Sequence, residues 1–84
     1  MIQVQIAFFG QLAEVFGRQV FLECQPSECT VGELRKILAD RYPASSADML
    51  SPKVRACIND RLAADTETIR PEDAIAFLPP VSGG

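Results

Sequence analysis

The residues with the clearest chemical use stand together at one end of the sequence, in Pro79-Pro80-Val81-Ser82-Gly83-Gly84. Glycine has no Cβ, so Gly83 and Gly84 can thread a narrow channel and take backbone angles closed to other residues. The Gly84 carboxylate is by itself a poor electrophile. Adenylated by a partner enzyme, it becomes a mixed anhydride open to nucleophilic attack. A sulfur nucleophile would leave a thiocarboxylate able to deliver sulfur, and an amine would leave an isopeptide bond. Pro79 and Pro80 offer no N–H to a β-ladder, so they end a preceding strand and favour a stiff, extended exit. From Pro79 onward the segment reaches roughly 20 Å at about 3.3 Å per residue, enough to enter a neighbouring protein's active site. The catalytic groups must then come from that neighbour.

The remaining chemistry-bearing residues point to structure. The sequence has three cysteines, Cys24, Cys29 and Cys57, and no histidine. An odd count without a secretion signal argues against a disulfide framework, and three thiols lack a fourth soft ligand for zinc. Small, partly buried apolar filler is the expectation for all three, with no metal site. The formal net charge of -3 argues against unaided binding to nucleic acid or anionic membrane. It suits a protein partner with a basic site. The first residues read as a strand, no apolar run reaches membrane-spanning length, and a cytoplasmic protein is expected.

A chain of 84 residues makes one small domain, without room for a deep multi-residue active site. Its body must position the tail, and hydrophobic periodicity shows how. Ile2, Val4, Ile6 and Phe8 alternate with Gln3, Gln5, Ala7 and Phe9, the period of a strand with one buried face. Leu12, Val15 and Phe16 before Gly17 suggest a short helical turn. Val20, Leu22 and Cys24 alternate as a second strand, which breaks at Pro26. Thr30-Val31-Gly32-Glu33 has the form of a capping box. Val31, Leu34, Ile37, Leu38 and Tyr42 continue at helical spacing until Pro43 stops the run. A helical turn fits Ala47 to Leu50.

Val54, Ala56 and Ile58 mark a third strand, Asn59-Asp60 a turn and Arg61 to Ala63 a short return. Ala74 to Leu78 is the last strand. One main helix cannot cover both faces of such a sheet. The predicted fold is α+β, a mixed sheet of four or five strands with the helix on one face, over 1–78, and a flexible tail over 79–84. The predicted core contains Ile2, Val4, Ile6, Leu34, Ile37, Val54, Ile58, Ile75 and Phe77, each contributing about 1.5–3 kcal/mol before entropy.

Phe9 and Leu78 fall out of phase with that core, and Leu62 joins them on the uncovered face. Lys53 and Arg55 would rim the cluster. An apolar patch beside the exit of a reactive tail reads as a docking surface.

These residues bring a family into view. Ala76-Phe77-Leu78-Pro79-Pro80-Val81-Ser82-Gly83-Gly84 resembles the terminal signature of the sulfur-carrier subunits of molybdopterin synthase, which are ubiquitin-like β-grasp proteins. Val4 to Gly17 with its Phe8-Phe9 pair, Thr30-Val31-Gly32-Glu33-Leu34-Arg35 and Ala56-Cys57-Ile58-Asn59 extend the likeness nearly end to end. Leu78 stands where the family usually has a second aromatic, and Ser82 where threonine is common.

The resemblance implies that an E1-like enzyme spends ATP to adenylate Gly84, and that a sulfur donor protein converts the adenylate to a thiocarboxylate. It implies that the tail, with Gly83 for passage, enters the large subunit. There the sulfur builds the dithiolene from cyclic pyranopterin monophosphate. Two small subunits would flank a large-subunit dimer that supplies the catalytic residues. Phe9, Leu62 and Leu78 fall at the family's docking positions, followed by Pro79, Pro80, Val81 and Ser82. No cofactor is expected on this chain. The alternatives are a carrier for thiamine thiazole synthesis, a modifier that conjugates to lysines, and a plain interaction module.

Overall fold

A computed structural model of the chain describes residues 2–25 and 29–80. Strand β1 (Ile2–Phe8) is followed by a short helix α1 (Gln11–Phe16) and strand β2 (Gln19–Cys24). The main helix α2 (Val31–Arg41) leads through a single 3₁₀ turn (Pro43–Ser45) into α3 (Ser46–Leu50). Strands β3 (Arg55–Ile58), β4 (Arg61–Ala63) and β5 (Ile75–Leu78) complete the order. The helical turns expected on either side of α2 are thus short helices. The break expected at Pro26 lies outside the described residues.

The sheet has five strands in the order β2-β1-β5-β3-β4. β5 runs parallel to β1 and antiparallel to β3, and the two outer pairs are antiparallel. This is the mixed sheet expected, and it has the β-grasp arrangement. The β3–β4 hairpin turns at Asn59 and Asp60, both at positive φ (51° and 69°), as a tight two-residue turn requires. The Asn59 side chain accepts from the Ala74 N–H at 2.9 Å and donates to Asp73 at 3.0 Å, so that turn is tied to the start of β5.

α2 starts where the sequence says. The Thr30 hydroxyl accepts from the Glu33 N–H at 3.2 Å, satisfying one of the free donors of the first turn. Tyr42 caps the far end before Pro43. The buried arc of α2 runs through Val31, Leu34, Arg35, Leu38 and Ala39.

Two expected core residues are only half-buried. At 3.6 residues per turn, Ile37 falls on the flank of the buried arc, and Arg35 lies inside it instead. Ile2 sits at the outer end of β1, paired with the last residue of β2. The other seven are buried, joined by Phe8, Leu12, Phe16, Leu22, Met49 and Ile69 among others. Phe8 stacks on Phe16 and on Phe77, with ring centroids 4.9 Å and 5.8 Å apart.

Candidate functional site: the tail root and the open sheet face

β5 carries the tail, and its register settles which side chains surround the exit. Ile75 and Phe77 are buried toward the helices, so Ala76 and Leu78 lie on the open face. Phe8 pairs with Phe77 in parallel register, which puts Phe9 and Leu78 at the next level, at the same end of the sheet. The Phe9 N–H donates to the Phe77 carbonyl at 3.3 Å, holding that level together beyond the end of β1. Arg55 stands directly opposite Leu78. One level further in, Ala7, Ala76, Cys57 and Leu62 form a row across four strands.

The sequence-derived docking residues are therefore brought onto one face. Phe9 is 52% exposed and Leu62 is 56% exposed, while Leu78 between them is half-buried. Leu62 lies two strand spacings from Leu78, about 10 Å across the sheet. Arg55 rims the cluster, and Lys53 is exposed in the turn before β3. One member of the face escaped the sequence reading. Phe21, 54% exposed, stands opposite Gln5, and its parity against Val20 and Leu22 is the signal that could have found it. Cys57 is half-buried between Ala76 and Leu62, matching the partly buried position expected of it.

The root of the tail is gripped from the β1–α1 turn. Gly10 has φ 57° and ψ -134°, a conformation that essentially only glycine adopts without strain. A Cβ at Gly10 would lie 2.9 Å from Pro79 Cγ. Glycine at this position thus lets the turn close against the Pro79 ring. Pro79 is half-buried and Pro80 exposed. On the other side of the root a groove of about 370 Å³ runs between α1 and the α3–β3 segment, lined by Glu14, Val15, Asp48, Val54, Pro79 and Pro80 among others. Val81, Ser82, Gly83 and Gly84, the residues expected to carry the chemistry, lie outside the described residues.

The body is tied together by one buried charge that sequence reasoning missed. Arg35, only 6% exposed, donates to Asp65 at 2.9 Å, to the Met49 carbonyl at 2.8 Å, to the Ser51 carbonyl at 3.2 Å and to the Val54 carbonyl. It thereby fixes the irregular segment that leads into β3. Helical spacing alone placed Arg35 beside the apolar stripe, but the acceptors are up to thirty residues away in sequence.

The setting of Cys29 does not prepare it for nucleophilic chemistry. Burial, together with a hydrogen bond from the Cys29 S–H to the Cys24 sulfur and the charge interaction between the two, pushes Cys29 up to about 12, so it stays protonated at neutral pH. Among the described residues no group of three or more cysteine or acidic side chains is placed to hold a metal ion. No described helix is long and apolar enough to cross a membrane.

Comparison with known proteins agrees with this geometry. Residues 6–84 match the ThiS family. The molybdopterin synthase sulfur carrier subunit of Caenorhabditis briggsae is 33% identical over 92 aligned positions, covering 100% of both chains. SAMP1 of Haloferax volcanii, a small archaeal modifier protein, superposes with a TM-score of 0.80 at 31% identity, covering 98% of this chain and 99% of its own. A complex of subunits 1 and 2 of the molybdopterin-converting factor from Helicobacter pylori contains a chain that matches at 25% identity and a TM-score of 0.66, covering 99% of this chain and 100% of its own.

Proposed function

The chain belongs to the ThiS family, and on that premise we propose that it is a sulfur carrier of molybdenum cofactor biosynthesis, the small subunit of molybdopterin synthase. One observation carries the reading beyond the family match. The strand that ends in Leu78 passes straight into Pro79-Pro80, beside an exposed apolar sheet face, so a partner can hold the body while it takes in the tail.

The chemistry resides in Gly84. Its carboxylate oxygen attacks the α-phosphorus of ATP on an E1-like enzyme, expelling pyrophosphate and forming an acyl-adenylate. The sulfur of a donor protein's persulfide attacks the acyl carbon, AMP leaves, and reduction of the remaining S–S bond by a thiol releases the thiocarboxylate. Inside the large subunit that sulfur passes to cyclic pyranopterin monophosphate, and water restores the Gly84 carboxylate. Gly83 allows passage through a narrow channel. Phe9, Leu62 and Leu78, with Pro79 to Ser82, form the contact surface. This chain supplies the reagent and the docking face, and the large subunit supplies the catalytic groups. The Helicobacter pylori complex supports a large-subunit partner.

The likeness to a small archaeal modifier protein favours a second reading, in which the same acyl-adenylate is passed to lysine amines. Intact-mass analysis of chain purified from cells containing its activating enzyme separates the two. A population with one terminal oxygen replaced by sulfur, absent after removal of Gly84, is expected. Chain that never carries terminal sulfur but is recovered on lysines would establish the modifier reading instead.

A further inference from the structure

The open sheet face occupies one side of the tail root, and the groove between α1 and the α3–β3 segment occupies the other. The floor of this groove is apolar, made by the buried Leu12, Phe16 and Val54, and Val15 at its rim is 49% exposed. Its charged lining is of one sign. Glu14 and Asp48 both border it, both are exposed, no lysine or arginine lines it, and neither carboxylate is in an ion pair among the described residues. Pro79 and Pro80 form part of its wall, so a protein that closes around Val81 to Gly84 must abut it.

We propose that this groove is a second docking surface, and that its occupant is a segment of a tail-gripping partner bearing an apolar side chain next to a lysine or arginine. The inference rests on the sulfur-carrier reading, because that reading requires enzymes that enclose the tail. An apolar pocket flanked by unpaired carboxylates gains from a basic-apolar insertion in two ways. The apolar side chain removes Val15 from water. The cation satisfies two carboxylates that have no ion-pair partner among the described residues, steering the encounter as well as strengthening it. The two surfaces together would hold the tail root from both sides, fixing the direction in which it enters the partner.

The test uses the full chain against its cognate large subunit and, separately, its cognate activating enzyme with ATP. Glu14→Gln with Asp48→Asn removes both charges without changing shape. For at least one partner the affinity should fall about tenfold at low salt, with the difference vanishing in high salt, where exposed charge pairs are screened. Val15→Asp should weaken the same partner at both salt concentrations. Unchanged binding to both partners overturns the proposal, as does a loss that persists undiminished in high salt for the charge-neutral variant. If these variants alter only self-association, the occupant is a second copy and the proposal falls. It falls too if removing residues 81–84 shifts the Val15 amide resonance in the absence of partner, which would assign the groove to the chain's own tail. Wild-type chain that supports no ATP–pyrophosphate exchange and binds neither enzyme would overturn the sulfur-carrier reading itself, an outcome distinct from an active wild type with indifferent groove variants.

Discussion

The Arg35 guanidinium lies 5.3 Å from the centroid of the Phe77 ring, so the buried charge of the main helix rests on the strand that carries the tail. The same guanidinium binds the carbonyls of Met49, Ser51 and Val54. Helix, connecting segment and tail-bearing strand thus share one anchor.

Replacing that anchor should be costly. Arg35→Met keeps bulk but strands buried carbonyls of Met49 and Val54, and a loss of about 3 kcal/mol is expected in urea unfolding. Arg35→Lys should be intermediate, because an ammonium cannot reach several acceptors in the fixed fork geometry of a guanidinium. A loss below about 1 kcal/mol for the methionine variant would show that the carbonyls find other partners.

Phe9→Asp should separate docking from folding. The side chain is 52% exposed, so the unfolding free energy should change by no more than about 0.5 kcal/mol. Affinity for the large subunit should fall about tenfold or more, as for truncation of an apolar anchor. A variant that fails to fold would place Phe9 in the core and refute the parity argument.

The cysteines should react in a set order. Cys57 is half-buried on the open face, whereas Cys24 and Cys29 are 3% and 1% exposed and Cys29 is held protonated. Iodoacetamide at about pH 8 should modify Cys57 first in the native chain, since thiolate character and access control the rate. Peptide mapping reads the order. Alkylation of Cys57, between Ala76 and Leu62, should also weaken docking to the large subunit.

Asp73 sets a pH dependence with a definite sign. The hydrogen bond from the Arg70 N–H, then that from Asn59, holds its carboxyl below the ordinary value of 3.8. A group lowered on folding stabilises the fold above its unfolded value, and that contribution disappears as pH falls through the lower folded value. Asp73→Asn should therefore lose less stability than wild type between about pH 5 and pH 3, measured by urea midpoints. Parallel acid limbs for the two proteins would show that the turn does not hold Asp73 in the unfolded-to-folded transition.

Much of this molecule could be read along the chain. Strand phase is a local property with a period of two, so placing Phe8 on the face of Val4 and Ile6 and Phe9 on the open face needed no partner strand. The start of α2 at Thr30 and its stop before Pro43 are likewise local, set by a side-chain cap and by the steric reach of proline. The proline exit and the diglycine end are visible as residue types alone.

What tertiary structure decided are the relationships between distant segments. The burial of Arg35 depends on carbonyls fourteen to nineteen residues away, which no periodicity reveals. The burial of Met49 and Ile69 follows from how irregular segments fold back onto α2 and the sheet. The contact of Gly10 with Pro79, and the groove shared by Glu14, Asp48 and Pro80, exist only because parallel pairing brings the end of β5 beside the end of β1. Sequence by itself determined which faces and which tail this protein would have, because those follow from local sterics and alternation. Strand order alone decided what stands beside the tail root, because neighbours across a sheet are chosen by pairing and not by position in the chain.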